Sequence, residues 1–253
     1  MPKLSVTVIT LDEEADIGDC LASVAWADEV VVVDAGSRDR TVEICERAGA
    51  RVVRQPWLGY AAQKNVAIDR ATHDWIFSLD ADERVTPELR RELAALLARE
   101  PECDGYSVPR RSYFLGRWMR HGGWYPDYNL RLFRRDKGRF RSREVHEAVE
   151  VDGRVGFCAA PIDHHTYRTL SEYVLRMDRY STLAAAELRK AGVSPGWLDL
   201  LGRPPLTFLR MYVAKRGFLD GMRGLMLAGC YASYTYFKYA KAWEAARRAS
   251  EAT

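Results

Sequence analysis

The run Glu29–Asp34, EVVVVD, constrains this chain more than any other segment. Four consecutive valines leave no polar side, so a strand built from them is covered on both faces. Strands of that kind belong to parallel sheets, whose crossover connections lay helices on each face. The neighbouring sequence supplies the other parts. Leu4–Thr10 is a β-branched apolar run, Arg51–Arg54 a short strand, and Trp75–Leu79 another that ends at Asp80. Between them, Asp12–Val24, Arg40–Ala48 and Tyr60–Ala71 carry helical spacing, as with Ile17, Leu21 and Val24. Thr86–Arg99 is a strong helix, with Thr86 placed to cap it and Pro87 at its first turn.

Four strands alternating with helices predict an α/β fold: a Rossmann-like, mostly parallel central sheet flanked by helices. Ligands in such sheets sit at the carboxyl ends of the strands, where Thr10, Asp34 and Asp80 fall. From Asp104 to Val155 the pattern changes to aromatics, Arg and Gly in short strand-like pieces such as Asn129–Arg134 and Glu147–Val151. These read as the far half of the sheet with its loops. Beyond Leu170 the chain is helical over Ser171–Lys190, Pro205–Lys215 and Gly217–Ala246, so the expected division is 1–168 for binding and catalysis and 169–253 for a helical C-terminal region.

Charge separates along the chain. Residues 1–105 hold 12 Lys and Arg against 21 Asp and Glu, and residues 106–253 hold 26 against 14. The two halves therefore suit different partners. Five dispersed cysteines without a Cys-x-x-Cys pair disfavour a disulfide scaffold or a cysteine zinc site and fit a reducing cytoplasm. No signal peptide is expected from MPKLSVTVITLDEE, and no apolar run reaches the ~18 residues of a spanning helix. There is no Gly-x-Gly-x-x-Gly and no Gly-x-x-x-x-Gly-Lys-Ser/Thr, which counts against dinucleotide oxidoreductases and P-loop NTPases.

The chemistry-bearing residues begin with Asp80-Ala81-Asp82-Glu83, directly after an apolar strand. Two carboxylates at i and i+2 can divide the work, one on a ribose hydroxyl and one on Mg²⁺ or Mn²⁺ that neutralises a diphosphate. The same residues would also serve as an acidic loop ahead of Thr86. Asp34, at a strand end before Gly36 and Ser37, suits a base or ribose; Ser37 or Asp39 would equally cap the next helix.

In order along the chain, VTVITLDEE, VVVDAGSRDRT, GYAAQKNVAI and WIFSLDADERVTPEL resemble the family 2 glycosyltransferases of GT-A fold. GGWYPDYNLRLFRR, VHEAV and IDHHTYRTLSEYV resemble the branch that adds glucose to heptose in the lipopolysaccharide core. Asp12 stands where that family usually has Asn. The resemblance implies an inverting, metal-dependent hexosyltransferase, working from a UDP-sugar such as UDP-glucose onto a lipid-linked core oligosaccharide. Rival acceptors are polyprenyl phosphate and a capsule precursor, and the rival class is a non-catalytic sugar-nucleotide-binding protein. Thr10, Leu11 and Glu13 would line the nucleotide pocket, with Asp34, Lys64 and Asp80 on the donor and Asn65 structural. Asp82 would ligate Mg²⁺ or Mn²⁺, and His164 would ligate the metal or meet a diphosphate oxygen.

An inverting transfer needs a base for the acceptor hydroxyl. Glu147 matches the expected place and Asp127 is its rival; Glu147 would otherwise pair with Arg141 or Arg143. Trp124, Tyr125 and Arg131, in a basic and aromatic stretch, suit a phosphorylated sugar acceptor. No nucleic-acid recognition motif is visible. Leu225–Phe237 has 13 uncharged residues, too few to span, flanked by Lys215, Arg216, Arg223, Lys238 and Lys241. Such helices suit the interface of an anionic leaflet, here the inner face of the cytoplasmic membrane; contact with a second subunit in a homo-oligomer is the alternative.

Overall fold

A computed structural model describes residues 2–99, 101–141 and 148–251. Its contacts divide the chain into two compact units, Met1–Arg110 with Asp127–His164 and Arg111–Pro126 with His165–Thr253.

The first unit opens with β1 (Leu4–Thr10), α1 (Ile17–Ser23), β2 (Glu29–Asp34), α2 (Thr41–Arg47), β3 (Arg51–Arg54), α3 (Tyr60–Arg70) and β4 (Trp75–Asp80). β1 lies between β2 and β4, parallel to both, and pairs Thr10 with Asp34 and Ile9 with Asp80. The register therefore brings three strand tips level. Alternation sorts the side chains. Leu4, Val6, Val8, Val32, Phe77 and Leu79 share a core with Ile17 and Leu21 of α1. Val31 and Ile76 face the other way, onto Ile68 of α3 with Phe133 and Phe140. Burying each such side chain contributes at most about 1.5–3 kcal/mol.

The helix expected from Asp12 begins only at Ile17. Asp12 sits at φ +55°, a left-handed conformation that Asp tolerates better than most residues. Its N–H donates to Ser37 Oγ at 2.9 Å, and its carboxylate accepts the Arg38 N–H at 2.7 Å. This clasp between neighbouring loops holds residue 12 out of the helix.

After β4 come β5 (Glu83–Val85), α4 (Pro87–Ala98), β6 (Gly105–Phe114), β7 (Arg117–Trp118), β8 (Asp127–Arg134), β9 (Gly138–Arg141), β10 (Ala148–Val151), β11 (Val155–Phe157) and β12 (Ile162–Tyr167). Among the described residues the main sheet has the order β3-β2-β1-β4-β8-β6-β12-β5. Its far half is mixed: β8 runs antiparallel to both β4 and β6, and β12 antiparallel to β5. β9 and β10 form a separate antiparallel ribbon.

The second unit holds α5 (Leu170–Lys190), α6 (Trp197–Leu201), α7 (Arg203–Leu209) and α8 (Gly221–Glu251), with a π turn at Arg210–Ala214 and a 3₁₀ turn at Gly217–Asp220. Thr169 and Glu172 form a capping box that starts α5. Phe114, Met119, Tyr173, Met211, Leu227 and Ala228 make the core. No helix among the described residues is long and apolar enough to cross a membrane.

Candidate active site

The tips of β1, β2 and β4 carry Thr10, Asp34 and Asp80. Thr10 Oγ1 donates to Asp34 Oδ1 at 3.2 Å. Asp34 also accepts from Ser37 Oγ at 2.5 Å and from the N–H groups of Gly36 and Ser37 at 2.9 and 3.0 Å. A carboxylate has about four acceptor directions. Four donors use them, and Asp34 is buried. It shapes the β2–α2 turn, in which Gly36 takes a positive φ. A hollow of about 330 Å³ lies there, lined by Asp34, Gly36, Ser37 and Arg54 among others. Leu11 is exposed. The Glu13 N–H donates to Thr41 Oγ1 at 2.7 Å.

Asp80 at the tip of β4 is gripped from two sides. Lys64 Nζ lies 2.8 Å from one oxygen, and Arg131 Nη2 2.8 Å from the other. Lys64 is buried on α3, with its ammonium over the Phe140 ring. Asn65 beside it bonds both ways to the Phe140 backbone, at 2.8 and 3.0 Å, and so ties α3 to β9. Burial by itself would raise the Asp80 carboxyl, but Lys64 and then Arg131 outweigh it and hold it well below the usual carboxylate range.

Glu83, three residues on, is fully buried. One of its oxygens is 2.5 Å from Arg131 Nη2, and the other accepts the Asp80 N–H at 3.1 Å. Burial pushes its carboxyl up; Arg131 opposes that and Asp80 adds to it. Arg110 approaches Glu83 at 3.9 Å and grips Asp127 with Nε and Nη2 at 3.0 and 2.6 Å. Lys64, Asp80, Glu83, Arg131, Arg110 and Asp127 thus form one ionic chain under the strand tips. Arg131 Nε is a buried donor without a partner among the described residues.

Asp82 Oδ2 lies 3.3 Å from His164 Nε2. The strand register accounts for the meeting. β12 pairs His164 with Glu83, which sets the imidazole one residue from Asp82. A carboxylate oxygen and an imidazole nitrogen are a suitable donor pair for Mn²⁺ and a less typical one for Mg²⁺. No group of three ligand-type side chains stands together among the described residues. Two protein ligands fit an ion that takes its remaining ligands from phosphate and water.

The structure thus brings together Thr10 with Asp34, Lys64 with Asp80, and Asp82 with His164. Arg131, expected on the acceptor, is buried and spent on two carboxylates. Trp124 and Tyr125 belong to the second unit. There Trp124 Nε1 donates to the Tyr231 hydroxyl at 3.2 Å, and Tyr125 stands edge-on to Trp118. Glu147 lies outside the described residues. Sequence reasoning placed Glu83 in the acidic run without giving it a role, and it gave Arg110 no part in the site. A signal for Glu83 was available, since period-two spacing sets it on the same strand face as the apolar Val85.

The sequence profile of "Glycosyl transferase family 2" matches residues 5–160. A lipopolysaccharide core biosynthesis glycosyltransferase, LpsC of Rhizobium meliloti, is 36% identical, across 96% of this chain and 94% of its own. An uncharacterized glycosyltransferase of Rickettsia bellii is 28% identical, across 99% of this chain and 90% of its own. Among solved structures, the mannosyltransferase PcManGT from Pyrobaculum calidifontis, in complex with GDP-Man and Mn²⁺, superposes with a TM-score of 0.58 at 16% identity, covering 95% of this chain and 87% of the other.

Proposed function

The chain belongs to glycosyl transferase family 2 and is a glycosyltransferase of GT-A fold; from that premise we propose that it is an inverting enzyme moving a hexose from a UDP-sugar, UDP-glucose first among them, onto a heptose of the lipopolysaccharide core. The likeness to LpsC supports the acceptor class. The working place is the inner face of the cytoplasmic membrane, where a lipid-linked core is presented. The observation that carries the reading is the pairing of a locked Asp80 with the adjacent Asp82–His164 couple at the tip of β4.

The roles divide by how each carboxylate is held. Asp80, fixed by Lys64 and Arg131, presents a charged and oriented acceptor to the donor's ribose or sugar hydroxyl. Lys64 also sets a positive charge under the diphosphate. Asp34, its acceptor directions taken, acts through the turn it shapes, whose hollow would receive the base, with Thr10, Leu11 and Glu13 along the β1 end of the pocket. Asp82 and His164 would hold Mn²⁺ or Mg²⁺, which when bound neutralises charge on the leaving diphosphate. The acceptor hydroxyl attacks the anomeric carbon from the side opposite the diphosphate. Its proton passes to a carboxylate as the new C–O bond forms and the bond to the diphosphate breaks. Glu147 is the proposed base and Asp127 the alternative. Trp124 and Tyr125 are proposed for the acceptor's sugar rings and Arg131 for its phosphate; the last would require Arg131 to release a carboxylate.

Calorimetry of UDP with and without Mn²⁺ tests the donor half. Asp82→Ala should abolish the gain that Mn²⁺ gives the wild type. Product mass from a panel of UDP-hexoses and truncated cores tests the acceptor half. Glu147→Gln should stop transfer and keep UDP affinity; full activity in that variant would move the base to Asp127.

A further inference from the structure

Among the described residues the second unit leaves a large apolar surface without a partner, and it lies mostly ahead of Leu225–Phe237. Within that stretch Leu227 and Ala228 are core and Tyr231 packs against it. Apart from a group on α5 that includes Leu175, and a few late in α8, the exposed apolar residues of this unit gather on α6, on α7 with its π turn, and at the start of α8. Trp197, Leu198, Leu201, Leu206 and Met222 are each 65–69% exposed. Their spacing is helical. Trp197, Leu198 and Leu201 share one side of α6, while Leu206, Leu209 and Val213 recur along α7 and the π turn. The opposite side of the latter segment is also apolar: Met211 lies in the core, with Phe208 and Tyr212 packed on it. A helix apolar on both sides is ordinarily buried on both. Here one side stays open.

Charge indicates what covers it. Between Trp197 and Met226 the basic residues are Arg203, Arg210, Lys215, Arg216 and Arg223, and the acids are Asp199 and Asp220. Neither acid is available to repel an anion. Asp220 is buried and accepts from the His121 N–H at 2.9 Å, and Asp199 pairs with Arg203 at 2.5 Å and accepts the Gly196 N–H. Arg210, Lys215 and Arg216 are exposed among the apolar side chains. A short apolar face with basic residues and no free acid matches the boundary of an anionic bilayer, with apolar side chains among the acyl chains and cations at the headgroups. A second copy of this chain would bring the same positive charge to the interface, which opposes self-association.

We propose that Trp197–Met226 is a membrane-docking face that seats the enzyme on an anionic leaflet. This deepens the proposed function, on whose lipid-linked acceptor it rests. Flotation of the full chain with vesicles of phosphatidylcholine, with or without about a third phosphatidylglycerol, tests it. The wild type should float with the anionic vesicles and be released at about 0.5 M salt. Leu201→Asp with Leu206→Asp, and separately Arg210→Gln with Lys215→Gln, should each weaken partition roughly tenfold. Both double variants should keep the wild-type UDP affinity and circular dichroism, because none of these side chains is in the donor site or the core. Partition unchanged in both variants, no flotation of the wild type, or a wild-type dimer that Leu201→Asp with Leu206→Asp makes monomeric would each overturn the proposal. Failure of UDP binding or transfer in a vesicle-binding wild type would instead overturn the functional reading and leave the docking face standing.

Discussion

Asp80 and Asp82 are two residues apart and chemically opposite. The first is clamped by Lys64 and Arg131, and the second meets a histidine. The spacing was legible in the sequence; the clamp was not, because Lys64 and Arg131 are far from Asp80 along the chain and only β4–β8 pairing and the packing of α3 bring them in. Arg131 read as a cation for the acceptor's phosphate for the same reason: composition reports charge and not burial. The clamp has a pH signature. The Asp80 carboxyl is held below its ordinary value of 3.8, so its contribution is fully present above that pH and fades as pH falls through the lower folded value. Asp80→Asn should therefore be less stable than wild type by about 3 kcal/mol at neutral pH. The difference should shrink once the pH drops below 3.8. Thermal midpoints of both proteins across pH measure this, and a gap that does not change on acidification would contradict the clamp.

At the scale of elements, α4 shows how a local rule reaches the site. Thr86 Oγ1 accepts the Leu89 N–H at 3.2 Å and donates to the Pro161 carbonyl at 2.8 Å. One hydroxyl thus caps the helix and anchors the chain as it enters β12, the strand that carries His164. Thr86→Ala should cost about 1–2 kcal/mol in urea unfolding, and Thr86→Ser should recover most of it. A change within error in the alanine variant would mean that water replaces both bonds. The cap was readable because its signal is local, a Thr-Pro ahead of an apolar-periodic run. β1, β2 and β4 were readable because continuous apolar runs need no knowledge of their partners. β5 and β12 were not. β5 is three residues long, and β12, IDHHTY, is polar and gains its conformation from pairing with a strand far away in sequence. The same non-local pairing sets His164 beside Asp82, so that meeting followed from resemblance and not from pattern.

Across the whole molecule the charge asymmetry divides the labour. The acidic N-terminal stretch carries the proposed ion-assisted diphosphate site, and the basic C-terminal stretch carries the face proposed for an anionic leaflet. Packing leaves its own record in the thiols. All five cysteines are free, and Cys20, Cys45 and Cys158 lie in one core. Burial pushes the Cys45 and Cys158 thiols up to about 12, and Cys20 higher still. At pH about 8 the thiolate needed for alkylation is therefore scarce in the folded protein and common in the unfolded one. Iodoacetamide should modify the half-exposed Cys103 first, and Cys20, Cys45 and Cys158 later with a single rate constant, because one opening event exposes their shared core. Peptide mass mapping over time reads each site. Cys158 labelling well ahead of Cys20 and Cys45 would show that the segment leading into β12 opens by itself, and the first unit's core would then be two cooperative parts.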